Sequence, residues 1–289
     1  MTVLAPERLA ASEWRAREES HVARADALTE KHRARAGRGE KHPVEDFLFT
    51  YYSYKPAVLR RWHPGVGVEL ADAAGLPRAA WRWYARGTEA HSLVVDAAAF
   101  RDEKALLVAG VERILRSTVG RAGSFGCFGL HEWAMVYRQG EHRHSVPLRL
   151  GQTGTDDVVR AHELRCTHFD AFRFFTPEAI PRNREAPTRD LQPAMEQPGC
   201  LHAGMDVYKW AVKLGPLVPG DLLLDSFELA RDIRVLDMQA SPYDLADRGY
   251  EPVRIETPEG KAEYVRRQRD FTDRSNALRA RLLAVLDAG

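Results

Sequence analysis

The sequence predicts an α+β fold in which a small central antiparallel or mixed sheet is surrounded by helices. Three observations carry this expectation. Stretches with a helical apolar period flank the middle of the chain. Two apolar-rich runs, Leu130 to Arg138 and Arg143 to Leu150, are separated by Gln139-Gly140-Glu141-His142, which has turn chemistry, so a β-hairpin is expected near 130–150. A third run, Leu164 to Phe175, reads as a strand. Alternation would place Arg165, Thr167, Phe169, Ala171, Arg173 and Phe175 on one face and Leu164, Cys166, His168, Asp170, Phe172 and Phe174 on the other.

The elements follow in order. Residues 12–36 read as a charged helix with Ser12 as N-cap, anchored by Trp14, Val22 and Leu28 and stopped by Gly37 and Gly39. This helix makes residues 1–40 a charged N-terminal arm, with one α+β domain over 41–289. Next comes a segment dense in rings and cations, from His42 to His63. Residues 100–118 have a helical period with Leu106, Leu107, Val111, Ile114 and Leu115 as the inner face. Residues 156–162 form a short helix. Residues 176–199 hold Pro177, Pro181, Pro187, Pro193 and Pro198, and a loop of that length suggests a lid or binding loop. Helices are expected over 201–214 and from Pro219 or Gly220 to Met238. A last, heavily charged helix opens at Thr257-Pro258, with a cap and a proline at its first position.

Composition excludes several classes. The 42 Lys and Arg residues nearly balance 41 Asp and Glu residues, so bulk charge does not coat this protein in nucleic acid. The 3 cysteines, Cys127, Cys166 and Cys200, are widely spaced, which argues against a disulfide framework or zinc ribbon and for free thiols in a reducing compartment. No stretch reaches the roughly 18–20 apolar residues of a membrane span. The first residues lack a basic region followed by an apolar run, so a cytoplasmic protein without a secretory leader is expected. Neither a phosphate-binding P-loop nor a G-x-S-x-G elbow is present, and the glycines at 123, 126 and 129 match neither. Oligomeric state is left open.

Imidazole and carboxylate side chains cluster in the middle of the sequence. His168 and Asp170 are two apart on one strand face, and His202 and Asp206 are four apart on one helix side. Such pairs can act as a general base with its orienting partner, or hold a metal. No cofactor is predicted. If a divalent metal binds, His131, His168, His202 and Asp206 are its candidate ligands. His142 and His144 read as turn residues. Asp225, Glu228 and Asp232 read as a solvated helix face with Arg231 and Arg234 nearby. Tyr51, Tyr52, Tyr54 and Trp62, interleaved with Lys55, Arg60 and Arg61, could stack on bases while cations meet phosphates. The alternative for these rings is a core element whose cations reach out to solvent. Arg182 and Asn183 form a second small polar patch.

Four stretches carry a resemblance: His42 to Tyr52, Arg61-Trp62-His63-Pro64-Gly65, Cys166 to Phe175, and Leu201 to Trp210. They resemble a group of actinobacterial proteins commonly labelled 3-methyladenine DNA glycosylase, and the likeness runs from about residue 12 to residue 285. The resemblance implies DNA containing alkylated bases as partner and N-glycosidic cleavage of an alkylated purine as reaction. Such an enzyme extrudes the base between aromatic walls, and a carboxylate orients water toward the anomeric carbon. Asp170 or Asp206 would be that carboxylate, His168 or His202 its partner, and Tyr51, Tyr52, Tyr54, Trp62, Phe172, Arg61, Arg182 and Asn183 the substrate contacts. Two other readings stay open. One is a small-molecule enzyme with a His/Asp/Glu site, metal-dependent or not. The other is a non-enzymatic nucleic-acid-binding protein.

Overall fold

A computed structural model describes residues 7–140 and 146–288. The fold is α+β, with one small mixed sheet set against a larger body of helices. The sheet lies elsewhere than the sequence predicts. Its strands are β1 (Glu7–Leu9), β2 (Val68–Leu70), β3 (Tyr84–Arg86) and β4 (Leu93–Val95), in the order β1-β2-β4-β3. β1 runs parallel to β2, and the other pairs are antiparallel, with Leu9 beside Leu70 and Leu70 beside Leu93. Those three leucines join Trp14, Trp62 and Ala73 in a separate apolar cluster.

The expected hairpin near 130–150 and strand near 164–175 are not strands. Leu130–Ala134 is a short helix, α6 in chain order, and Leu148 makes only an isolated bridge to Tyr243. The turn residues Glu141 and His142, along with His144, lie outside the described residues. The reason for the difference is periodicity. Leu130, Trp133, Ala134 and Tyr137 are buried at helical spacing, and a short apolar run reads equally as strand or helix until its period is counted. In the third run, Leu164, Cys166 and His168 are buried alternately, as in extended chain, and Leu164 bridges Asn183. Beyond His168 the spacing changes: Ala171 and Phe175 are buried four apart, and Phe169–Phe172 forms α8.

The remaining helices are α1 (Ala11–Gly37), α2 (Phe47–Tyr51), α3 (Pro56–Arg60), α4 (Ala97–Glu103), α5 (Ala105–Val119), α7 (Gly151–Ala161), α9 (Gln192–Met195), α10 (Leu201–Lys213), α11 (Gly220–Gln239) and α12 (Pro258–Asp287). The N-cap position of α1 is Ala10, so Ser12 lies inside the helix. This helix buries Trp14, His21, Ala25 and Thr29, a stripe with steps of seven and four, and packs on α3 and α11. Trp14 Nε1 donates to the Ala71 carbonyl at 2.9 Å, which ties the helix to the sheet. The helix expected over 100–118 is broken at Lys104, and Leu106 is 92% exposed rather than part of the inner face.

α10, α11, α12 and α5 form the central helical body. Every residue of α10 from Leu201 to Ala211 is buried. Gly204 allows this: a Cβ there would lie 2.8 Å from Ile233 Cδ1 on α11 and 2.9 Å from Ser275 Oγ on α12, so the three helices approach where α10 has no side chain. α12 starts as its sequence predicts, with Pro258 in the first turn and Thr257 Oγ1 accepting from the Gly260 amide at 3.1 Å. Asp225, Glu228 and Asp232 do form an ion-paired outer face, meeting Arg24, Arg281 and Arg274. Arg234, by contrast, is buried. Among the described residues no helix is long and apolar enough to cross a membrane.

Candidate functional site

The extended entry to α8 and the first turns of α10 place His168, Asp170, His202 and Asp206 in one buried polar group. His168 Nε2 lies 3.4 Å from Asp206 Oδ2 and 3.3 Å from Glu196 Oε1. Lys209, one turn after Asp206, is in close ion contact with Asp206 Oδ2 and reaches Asp170 Oδ2 at 3.5 Å. Tyr52 donates its hydroxyl to Asp206 Oδ1 at 2.7 Å. The His168 and His202 rings are 5.3 Å apart, and His202 in turn lies 4.5 Å from the His131 ring. His131 Nε2 lies 2.8 Å from Asp237 Oδ1, and Arg234 donates to Asp237 Oδ2 at 2.6 Å and to Glu132 Oε1 at 2.8 Å. One chain of contacts therefore runs from Asp170 through Lys209, Asp206 and the three imidazoles to Arg234 and Glu132.

Burial and charge set the protonation of this chain. Burial disfavours an imidazolium at His168, but the Asp206 and Glu196 carboxylates outweigh it and push His168 up to about 9. His131 behaves alike: burial opposes its charge and Asp237 more than restores it, so it titrates well above the ordinary histidine value. His202 has no carboxylate on its ring. Burial lowers it well below the ordinary value, and the neighbouring His131 lowers it further, so it is a neutral imidazole between two charged ones. Asp206 would be raised by burial, yet Lys209 and His168 hold it well below the usual carboxylate range.

This chain edges onto a cavity of about 540 Å³. That size falls within the ~300–1,000 Å³ of small-ligand sites. Asp170, Glu132, His202 and Arg234 reach its lining, with Phe47, Tyr51, Phe174, Met135 and Tyr243 as apolar or aromatic wall and exposed Lys41 and Arg248 at the mouth. Asp170 is fixed there by Arg189, which donates to its Oδ1 at 2.9 Å. The Arg234 guanidinium sits 3.8 Å from the Phe47 ring centroid. Tyr51 stacks on Phe47 at 4.9 Å, and burial with the Asp206 and Asp170 charges pushes its hydroxyl up to about 12.

The other residues singled out from sequence do not line the cavity. Asp206 and His168 stand behind it; both Asp206 oxygens are engaged, and His168 Nε2 faces Asp206 and Glu196 while its Nδ1 has no hydrogen-bond partner among the described residues. Tyr52 is spent on Asp206, and Tyr54 packs against Tyr208 at 5.9 Å. Phe172 packs on Phe175 at 5.1 Å. Trp62 is core beneath the sheet, and Arg61 lies over Trp81, away from the site. Arg182 donates to the Val159 and Arg160 carbonyls. Asn183 clamps the extended segment, its Oδ1 accepting from the Cys166 amide and its Nδ2 donating to the Cys166 carbonyl. Trp62, Arg182 and Asn183 have their aromatic or polar groups engaged by neighbours, and Arg61 is exposed but away from the cavity.

Several site residues carry no obvious sequence signal. Glu196 sits at the end of the Pro-rich segment, which is mostly exposed from Pro177 to Leu191 and turns into the interior from α9 onward, where Gln192 and Glu196 to Gly199 are buried. Lys209 and Asp237 could be found by spacing, each three residues from a partner of opposite charge, Asp206 and Arg234 respectively. Two sets have the donor atoms a metal needs, with all ligand atoms in each set within 4.8 Å: His131, His202 and Asp237, and His168, Glu196 and Asp206. No protein-family model matches the chain, and no curated protein or solved structure matches it.

Proposed function

We propose that the cavity hydrolyses an N-glycosidic bond, releasing an alkylated purine from DNA. The observation that carries this reading is Asp170 on the wall of an aromatic-lined cavity of base-holding size, fixed by Arg189 and Lys209. Breaking the bond builds positive charge on the sugar. A fixed carboxylate in a partly dry cavity stabilises that charge and orients the attacking water. Phe47, Tyr51 and Phe174 supply rings for the extruded base. A base already cationic from alkylation needs little acid to leave, which suits a neutral His202 that can exchange a hydrogen bond with it. Asp206 takes a different part: it is buried behind the cavity and does not line it, so it positions Lys209 and His168 rather than meeting substrate.

One observation favours a second reading, hydrolysis of a small free molecule. Arg35 is held by Glu45 and Asp46, and Arg173 and Arg189 by Asp170, which leaves Lys41 and Arg248 at the mouth as the exposed cations lining the cavity, a small number for gripping a DNA backbone. The test presents the full chain with methylated duplex DNA and, separately, with alkylated purine nucleosides, and measures free base by chromatography. Release from DNA, reduced about 100- to 10,000-fold in Asp170→Asn with an unchanged circular dichroism spectrum, supports the first reading. Release from nucleosides alone supports the second. A chain that releases no base from either, or an Asp170→Asn variant as active as the parent, refutes the proposal.

A further inference from the structure

We infer that His168, Glu196 and Asp206 bind one divalent transition-metal ion, which ties three separate segments together behind the cavity. The donor atoms come from the extended entry to α8, the end of α9 and the second turn of α10, and their side chains are only 1–2% exposed. The spacing is the reason. A direct imidazolium–carboxylate hydrogen bond draws its atoms to roughly 2.7–2.9 Å, as His131 and Asp237 show at 2.8 Å. His168 Nε2 instead stands back from two carboxylate oxygens at once, at 3.3 and 3.4 Å. Metal bonds of about 2.0–2.1 Å in a tetrahedron set neighbouring ligand atoms about 3.3–3.4 Å apart. The His168 geometry is that of two ligand-to-ligand edges around a small ion, which on binding would take the place of the His168 Nε2 proton, released to solvent.

Outer hydrogen bonds orient the two carboxylates, while His168 Nδ1 has no partner among the described residues. Tyr52 donates to Asp206 Oδ1, the oxygen away from His168, and Gln192 Nε2 donates to Glu196 Oε1 at 2.5 Å. Outer hydrogen bonds of this kind fix carboxylates for a metal. Lys209 shares Asp206 Oδ2, an oxygen with more than one lone pair. One imidazole and two carboxylates suit zinc, manganese or ferrous iron rather than a soft ion. None of the three ligands lines the main cavity, so the ion's part is to hold α9 and α8 against α10, and with them Asp170 on the cavity wall.

The full chain is stripped with chelator, reloaded with Zn²⁺ or Co²⁺ and freed of excess ion by gel filtration. Metal content, the visible spectrum of the Co²⁺ form and the thermal midpoint are then read. The inference expects one ion per chain, ligand-field absorption of low-symmetry Co²⁺, and a higher midpoint that Glu196→Gln loses together with the ion while His131→Gln keeps both. Anomalous scattering from crystals of the parent chain soaked in Zn²⁺ locates the ion without any variant, and is expected beside His168 Nε2. Substoichiometric metal after reloading, a site at His131 and His202, or an ion retained by Glu196→Gln each overturns it. These readouts do not depend on release of a base, so they stand or fall apart from the glycosidic reading.

Discussion

The sheet region and the helical body both bury charge, and they do so in different ways. In the sheet region, each buried charge is met locally, by neutral donors, by rings or by a single ion-pair partner at the edge. Arg78 lies over the rings of Trp62 and Trp81 at 5.0 and 4.8 Å, with its guanidinium donating to the Trp62 carbonyl at 3.0 Å and meeting Glu18 at its edge. Glu69 on β2 accepts from the Ser92 and Thr88 hydroxyls and the Glu89 amide. Those neutral donors hold its carboxyl down to about 2. In the helical body, charge is buried against charge in a connected series, and that series reaches a cavity. The first arrangement suits a structural role, because each group is satisfied locally. The second couples distant helices and keeps Asp170, Glu132, His202 and Arg234 facing open space, which is what a reactive site requires.

The largest expected effect tests whether the helical series is one unit. Arg234→Met removes the cation shared by Glu132 and Asp237 and leaves two carboxylates buried with less compensation. Breaking a buried pair in this way costs about 3–5 kcal/mol, read as a fall in the urea midpoint at constant slope. A loss below about 1 kcal/mol, the worth of an exposed pair, would show that the series is a set of independent contacts.

The same contrast explains what the sequence made legible. The α+β class and the long helices follow from composition and helical period, and the four-residue spacing on α10 puts His202 beside Asp206; that His168 and Asp170 meet them comes from the tertiary fold alone. The sheet was not legible, because its strands are three residues each and pair residues as far apart in sequence as Leu9 and Leu70. Strands that short carry no alternation to count. Trp62 and Arg61 were read as binding groups because rings beside cations serve either purpose. The structure separates them: Trp62 stacks with a cation from another segment, Arg78. Glu196 was hidden for another reason. Its partner His168 lies 28 residues away, and only the tertiary fold brings them together.

A smaller effect is expected at Glu69, with a pH dependence that sharpens the comparison. Glu69→Gln replaces a carboxylate in a nest of neutral donors, at a cost of about 1–3 kcal/mol near neutral pH. The folded carboxyl titrates at about 2, below its ordinary value near 4.5. Its contribution is therefore complete above about 4.5 and is lost as pH falls toward 2. Parent and variant should differ in urea midpoint at neutral pH and converge in acid. A difference that persists undiminished at low pH would assign the effect to shape rather than charge.

The smallest effect is expected at Arg78, where the two regions differ most in kind. Arg78→Lys keeps a positive charge near Glu18 but removes the flat guanidinium that lies over Trp62 and Trp81. Stacking of this sort is worth about 1 kcal/mol at a partly desolvated site. Lysine can still reach Glu18, so the charge itself is not stranded, and the urea midpoint should fall by a fraction of the Arg234→Met change. Base release and metal content should not move, because Arg78 touches neither the cavity nor the His168 group. If Arg78→Lys instead cost as much as Arg234→Met, the guanidinium's stacking and hydrogen bonds would be worth as much as a mutually paired buried cation. The distinction between locally satisfied and mutually paired charge would then fail as a guide to which region carries the proposed chemistry.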